Sequence, residues 1–203
     1  MVDANAPRLV LASASPFRRR MLEAAGLGFT VVVPDVDEAA VKSKLLRSGA
    51  SIKDIAQGLA VAKAEDVSAH LPDALVIGAD QVLVCGAEMF NKPASGAEAR
   101  EQLVRLRGKT HELHTAVALA ASGKAVWTHL QTVALAMRPF SDAFLADYLA
   151  RLGERVRRTV GAYEIEGPGI QLMEHIEGDM FTVIGLPLLA LLSELRARGA
   201  VAT

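Results

Sequence analysis

The sequence is poor in cysteine, in aromatic residues and in net charge. Its 203 residues contain one cysteine, Cys85, which excludes a disulfide within the chain and is typical of a reducing cytoplasm. The formal net charge is −1, so a broad nucleic-acid-binding surface is not expected. The first residues lack a basic region followed by an apolar stretch, and the apolar run at 184–192 is too short to cross a membrane. We therefore predict a cytoplasmic protein with neither nucleic acid nor membrane as a partner.

Apolar residues are abundant, at 51% of the chain, which is enough for one domain with a core or for one domain divided into two lobes by a cleft. No repeat, low-complexity tract or linker interrupts the sequence. We assign residues 1–203 to a single domain.

Hydrophobic periodicity predicts helices and strands in alternation. The predicted helices cover 16–25, 51–70, 95–107, 141–152 and a segment that starts at Pro187. The predicted strands cover 8–13, 29–33, 74–84 with a break at 78–80, and a hairpin of 111–120 with 125–138. Alternation interrupted by a hairpin indicates a mixed α/β sheet with helices on its faces.

Three consecutive arginines, Arg18 to Arg20, stand at a predicted helix start, just after the turn Ser-Ala-Ser-Pro. Cations oppose the positive end of a helix dipole, so the placement is explained if an anion binds there. A strand, a serine-rich turn and a helix start commonly bind phosphate, and arginine adds bidentate hydrogen bonds. A solvated basic helix face explains the run equally well, because consecutive helical residues point in different directions.

Four further polar residues are candidates for a site. Asp80 interrupts the apolar run VIGADQVLV. It is either a base or a metal ligand at the end of a strand, or a residue that forms a turn. Glu38 belongs to an acidic run. This run either offers oxygen ligands for Mg²⁺ or forms a solvated loop. Lys63 flanks the apolar stripe of a predicted helix, and Lys92 precedes a proline in an extended loop. Either lysine is equally explained as ordinary surface.

Together these stretches resemble the Maf family of nucleoside triphosphate pyrophosphatases. The matching segments occur in family order and cover nearly the whole chain: LASASPFRRRMLEAAGL, VDE, LAVAKA, VIGADQVLV, NKP, LRGKTHELHTAVAL, GAYEIEGPGIQL and IEGDMFTVIGLPL. The resemblance implies a two-lobed α/β fold around a central cleft. It also implies hydrolysis of a nucleoside triphosphate to a monophosphate and pyrophosphate with a divalent cation, Mg²⁺ or Mn²⁺, and often a homodimer.

The family pattern also implies roles for individual residues. The positions that match phosphate-binding residues are Ser13, Ser15, Arg18, Lys63 and Lys92. Asp80 matches the proposed proton acceptor, and Glu38 matches the acidic residue near the metal and the polyphosphate. Arg19 matches only part of the family and Arg20 is not a motif position, so both are expected at the surface or behind the site.

Three positions distinguish the branches of the family, and here they are Phe17, Gln81 and Glu166. The trio resembles the branch that acts on 7-methylguanosine triphosphate, whereas the thymidine and uridine triphosphate branch has Arg, Thr and Gln. A carboxylate can accept two hydrogen bonds from a guanine edge, and an aromatic face favours a cationic methylated purine. Phe17 departs from the Trp more typical of this branch, and the loop GAYEIEGPG resembles the pyrimidine type around its Glu.

The resemblance therefore implies a house-cleaning nucleoside triphosphate pyrophosphatase that acts on 7-methylguanosine triphosphate. One alternative is a thymidine and uridine triphosphate pyrophosphatase of the same family. Others are a nucleotide-binding regulator of division or septum formation, and a metal-dependent phosphatase for small esters. The presence of Asp80, Lys63 and Lys92 argues against an inactive protein.

Overall fold

The computed structural model describes residues 7–202. Within that range the chain forms seven strands: β1 (Arg8–Ala12), β2 (Thr30–Val32), β3 (Ala74–Cys85), β4 (Glu88–Phe90), β5 (Thr110–Ala121), β6 (Lys124–Met137) and β7 (Met173–Glu177). The α-helices of the same range are α1 (Pro16–Ala24), α2 (Glu38–Arg47), α3 (Ile52–Ala69), α4 (Gly96–Leu106), α5 (Asp142–Leu152), α6 (Met180–Ile184) and α7 (Leu188–Ala197). None of these helices is long and apolar enough to cross a membrane.

The strands form a mixed sheet in the order β2-β1-β3-β5-β6-β7, with β4 paired to β3. β1 is parallel to both of its neighbours, β2 and β3. β4 is antiparallel to β3, and β7 is antiparallel to β6. Parallel neighbours need crossover connections, which α1 supplies after β1 and which α2 and α3 supply after β2. The predicted mixed α/β class with flanking helices is confirmed.

The chain divides into two compact units. The first unit comprises the residues up to Gln81, Thr115–Gln131 and the residues from Gly185 onward; the second comprises Val82–His114 and Thr132–Ile184. The central cleft that the resemblance implies stays a prediction, and so does the assignment of residues 1–203 to a single domain.

In the first unit, β1 and β3 pack beneath α3. Val10 and Val76 on the strands form a buried cluster with Val67 on the helix. Parallel strands that are covered on both faces require continuous apolar runs, and the run from Leu9 to Ala12 is almost completely buried. α3 begins at a capping box, in which Ser51 accepts a hydrogen bond from the Asp54 amide and Asp54 accepts one from the Ser51 amide. This end fixes the register of the helix above the strands.

The core of the second unit holds a buried histidine. His111 is 1% exposed, and its Nε2 lies 2.8 Å from the hydroxyl of Tyr163. Within residues 7–202 no hydrogen-bond partner faces His111 Nδ1. Burial lowers the pKa of His111 from its ordinary 6.5 to about 4, because the charged ring would bring an unpaired N–H donor into an apolar core.

This burial predicts a loss of stability in mild acid. The unfolded chain takes up a proton at His111 below pH 6.5 and the folded chain only near pH 4, so the free energy of unfolding should fall between those values and level off below them. The contribution of this one group is about 3 kcal/mol at most. Urea unfolding from pH 7 to pH 4 measures it in wild type, His111→Gln and, as a control, the exposed His175→Gln. A slope in His111→Gln equal to that of wild type would contradict the assignment.

The strands β4 and β7 and the short helix α6 were not predicted, and two further differences concern residues of the predicted site. The acidic segment expected as a loop contains the start of α2, because Asp37 caps a helix whose first residue is Glu38. The predicted break at 78–80 is wrong, since β3 runs through Gly78 and Asp80 without interruption. Both differences bear on the site, because Glu38 and Asp80 are two of its predicted residues.

Candidate active site

Asp80 lies within β3, in the first unit, with 8% of its surface exposed. A carboxylate buried in an apolar strand costs free energy unless it is paired. Its partner is Lys63 on α3, whose Nζ donates a hydrogen bond to Asp80 Oδ1 at 2.6 Å, and Lys63 is itself only 6% exposed. The ion pair compensates the buried charge, and the strand therefore continues where the sequence predicted a break.

Gly78 brings α3 close enough to β3 for this ion pair. Gly78 and Asp80 are two residues apart on a strand, so position 78 faces the same helix as the carboxylate. A Cβ at position 78 would lie 2.3 Å from the Ala60 carbonyl oxygen and 2.7 Å from the Ala64 amide nitrogen, both on α3. A residue without a side chain permits this close approach of α3, the helix that carries Lys63, to β3.

Glu38 extends the ion pair to α2. The side chain of Asp37 accepts a hydrogen bond from the Ala40 amide at 2.9 Å, which places Glu38 in the first turn of the helix. Glu38 Oε1 lies 2.9 Å from Lys63 Nζ, and 56% of the Glu38 side chain is exposed. The ammonium of Lys63 therefore joins a buried carboxylate to one that solvent reaches.

Arg18 is anchored at the start of α1. Ser15 caps this helix by accepting a hydrogen bond from the Arg18 amide. The guanidinium Nε donates to the Gly185 carbonyl at 2.8 Å, and Nη1 donates to the Ala79 carbonyl at 2.9 Å and to Ser13 Oγ at 3.3 Å. One side chain thus ties the turn after β1 to β3 and to the segment before α7.

The charge of Arg18 lies close to the two carboxylates. Burial lowers the pKa of the guanidinium, and the negative charges of Asp80 and Glu38 oppose that shift. An arginine keeps its proton at neutral pH in either case. The first unit therefore gathers Ser13, Ser15, Arg18, Glu38, Lys63 and Asp80 around one group of charges.

The next two arginines have other partners. Arg19 forms an exposed ion pair with Glu23, 2.7 Å away and one helical turn along α1. The Arg20 guanidinium carbon lies 4.9 Å from the centre of the Phe17 ring, so it covers one face of that ring. Sequence reasoning placed Arg20 at the surface or behind the site and did not foresee its contact with Phe17.

Gln81, the next residue on β3 after Asp80, is oriented by a buried threonine. Its Nε2 donates to Thr115 Oγ1 at 2.9 Å, and Thr115 is fully buried in β5. This contact fixes which end of the carboxamide points toward the sheet. Its role in base recognition stays a prediction, as does that of Phe17.

Lys92 and Glu166 belong to the second unit, and both side chains are exposed. Glu166 lies on a tight turn, in which the amides of Gly167 and Gly169 donate to the Glu164 carbonyl at 3.0 and 3.1 Å. The Glu164 side chain is buried and forms an ion pair with Arg155. The turn therefore buries the Glu164 side chain and leaves the Glu166 side chain exposed to solvent. The approach of Lys92 and Glu166 to the charged group of the first unit stays a prediction.

Lys42 is a residue that sequence reasoning missed. It lies on α2, one turn after Glu38, and is half-buried, whereas Lys44 two residues later is exposed. Burial lowers the pKa of Lys42, and the charge of Asp80 opposes that shift. The spacing of four from Glu38 was the available signal, but it has meaning only once the segment is known to be a helix.

The donor set also bears on a metal. Among residues 7–202, no three His, Cys, Asp or Glu side chains are arranged to hold an ion by themselves. Mg²⁺ is usually held by one or two carboxylates together with substrate phosphates and water. Glu38, whose carboxylate is exposed, fits that kind of shared site, and its role as a metal ligand stays a prediction.

Comparison with known proteins identifies the same family as the sequence motifs. Residues 8–198 match the family described as Maf-like protein. A 7-methyl-GTP pyrophosphatase of Rhizobium meliloti (strain 1021) is 49% identical over 195 residues, which are 96% of this chain and 98% of that protein. A 7-methyl-GTP pyrophosphatase of Brucella abortus biovar 1 (strain 9-941) is 51% identical over 189 residues, 93% of this chain and 95% of its own. A nucleoside triphosphate pyrophosphatase of Rhodospirillum rubrum is 47% identical over 200 residues, 98% of this chain and 99% of its own.

Proposed function

Since this chain belongs to the Maf family, we propose that it hydrolyses a nucleoside triphosphate to the monophosphate and pyrophosphate, with 7-methylguanosine triphosphate as its substrate. It is then a hydrolase of phosphoric anhydride bonds. The observation that carries the proposal is the group of Arg18, Glu38, Lys63 and Asp80, where cations and carboxylates lie within one unit. Such a group can bind a polyphosphate and accept a proton at the same place.

The cationic side chains neutralise the negative charge of the substrate. A triphosphate carries about four negative charges, which must be neutralised before a water molecule can approach phosphorus. Arg18 is held by three hydrogen bonds, so its planar guanidinium is already oriented when the substrate binds. Lys92 supplies a further cation from the second unit in this proposal.

Asp80 accepts the proton of the attacking water. Lys63 engages Oδ1, so Oδ2 is the oxygen that we assign to the proton. Glu38 would hold a divalent cation, Mg²⁺ or Mn²⁺, together with the substrate phosphates. When bound, that cation neutralises phosphate charge and makes the water easier to deprotonate. The carboxylate and the lysine bridge then keep the water and the proton acceptor in fixed positions.

In this proposal the base of the nucleotide is recognised by Glu166, Gln81 and Phe17. The exposed Glu166 accepts two hydrogen bonds from the guanine edge, and Phe17 offers the ring face that Arg20 does not cover. The relatives named 7-methyl-GTP pyrophosphatase, at 49% and 51% identity, support this choice of substrate. The cytoplasmic location and the homodimer stay predictions.

Glu166→Gln should separate substrates by base. Losing one hydrogen bond to a charged group costs about 1.5–3 kcal/mol, so kcat/KM for 7-methylguanosine triphosphate should fall by about one to two orders of magnitude. Uridine triphosphate should be affected much less, because its ring has one N–H donor and an amide can both donate to it and accept from it. The exposed Glu174→Gln on β7 is the control. Equal losses on both nucleotides would remove Glu166 from base recognition.

A nucleotide panel tests the activity itself. The protein is incubated with Mg²⁺ and 7-methylguanosine, guanosine, thymidine or uridine triphosphate, and monophosphate and pyrophosphate are measured. We expect equal amounts of both products, and free phosphate only after an added inorganic pyrophosphatase. Free phosphate without that enzyme would indicate a phosphatase, and binding without any hydrolysis would indicate a regulator. A clear preference for thymidine and uridine triphosphates would move the chain to the other branch.

A further inference from the structure

Lys42 has the position of a substrate-binding residue. α2 packs against α3, the helix that carries Lys63. Residues four apart on a helix share a face, so Lys42 emerges on the same side of α2 as Glu38. Glu38 contacts Lys63 at 2.9 Å, and Lys63 contacts Asp80 at 2.6 Å. These contacts connect the face of α2 that carries Lys42 to Asp80, the proposed proton acceptor.

Two observations support a position of Lys42 near this group. It is half-buried, although an ordinary helix-surface lysine such as Lys44 on the same helix is exposed. Burial lowers the pKa of Lys42, and the charge of Asp80 offsets part of that shift, so the two charged groups lie near each other. A lysine that gives up part of its hydration beside a buried carboxylate belongs to the charged group rather than to the solvated surface.

The net charge of the group around Asp80 indicates a function for Lys42. Arg18 and Lys63 carry two positive charges, and Glu38 and Asp80 carry two negative charges, so these four groups alone are neutral. Each added positive charge strengthens the attraction of such a group for a polyanion. Lys42 adds one positive charge to these four groups, beside that of the divalent cation in the proposed function.

We propose that Lys42 is a further substrate-binding residue, whose ammonium contacts the polyphosphate of the bound nucleotide. This inference rests on the proposed pyrophosphatase function. A lysine acts here as a point charge on a flexible stem, so it can follow the polyphosphate as the bond between two phosphates breaks. Its contact is with phosphate and is therefore the same for every base.

Inorganic tripolyphosphate is the probe, because it lacks base and sugar. The experiment measures its dissociation constant by calorimetry with Mg²⁺, for wild type, Lys42→Gln, Lys42→Arg and the control Lys44→Gln. It also measures KM and kcat for the best nucleotide of the panel. We expect the dissociation constant and KM to rise about ten-fold in Lys42→Gln, the loss of one charge-assisted contact, with Lys42→Arg closer to wild type and Lys44→Gln unchanged.

Unchanged tripolyphosphate affinity in a folded Lys42→Gln would overturn the proposal, as would a failure of wild type to bind tripolyphosphate. An equal loss in Lys44→Gln would do the same, because it would show a general effect of charge. Circular dichroism and thermal melting establish that each variant is folded. The binding arm needs no turnover, whereas the proposed function fails separately if wild type releases pyrophosphate from no nucleotide.

Discussion

Asp80→Asn is expected to lower kcat by about two to four orders of magnitude, the range typical for the loss of a general base. Asparagine has nearly the same shape as aspartate but no carboxylate oxygen to accept a proton. Its amide can still accept a hydrogen bond from Lys63, and Lys63 keeps its 2.9 Å contact with Glu38. The ammonium therefore retains a partner, and the fold around β3 should persist.

The comparison needs kcat, nucleotide affinity and a control. Pyrophosphate release gives kcat, and calorimetry gives the dissociation constant of the nucleotide, which should stay within a few-fold of wild type because the phosphate-binding cations are unchanged. Asp73→Asn is the matched control, since Asp73 is exposed and directly precedes β3. A kcat near that of wild type in Asp80→Asn would exclude Asp80 as the proton acceptor.

Local patterns were sufficient to predict most of the fold. The predicted start of α1 at Pro16 is confirmed, and the structure adds that Ser15 caps this helix. α2 was missed because an acidic run was read as a solvated loop, although an aspartate followed by a glutamate is also a helix start. The strand at Asp80 was predicted to break because the periodicity of one segment contains no information about a partner on another.

The candidate site shows the same limit. Lys63 and Asp80 are 17 residues apart in sequence, and their 2.6 Å contact depends on how α3 lies on β3. The residues alone left Asp80 open between a site residue and a turn-forming residue, and Lys63 between a site residue and ordinary surface; the family resemblance selected both. Lys42 and the contact of Arg20 with Phe17 needed the structure, since helix faces and ring contacts follow from packing.

Gly78→Ala is expected to lower kcat/KM by about 100-fold through a change of one methyl group, the effect of a shift of about 1 Å in a catalytic contact. The new Cβ would lie 2.3 Å from the Ala60 carbonyl oxygen and 2.8 Å from the Ala64 Cβ. These atoms belong to the backbone and first side-chain carbons of α3, which cannot rotate away, so the helix must move. Lys63 lies on that helix and would be drawn away from Asp80.

The same substitution should cost about 1–3 kcal/mol of unfolding free energy, as overpacking usually does. Urea unfolding measures that cost, and assays at a temperature where the variant is fully folded separate it from the loss of activity. Gly96→Ala is the matched control, because a Cβ at the first residue of α4 would meet no atom within 4 Å. We expect it to match wild type in both measurements. If Gly78→Ala kept kcat/KM within about three-fold of wild type while losing stability, the approach of α3 to β3 would serve packing alone. A large loss of activity in a folded variant would instead show that the glycine positions Lys63 for its contact with Asp80.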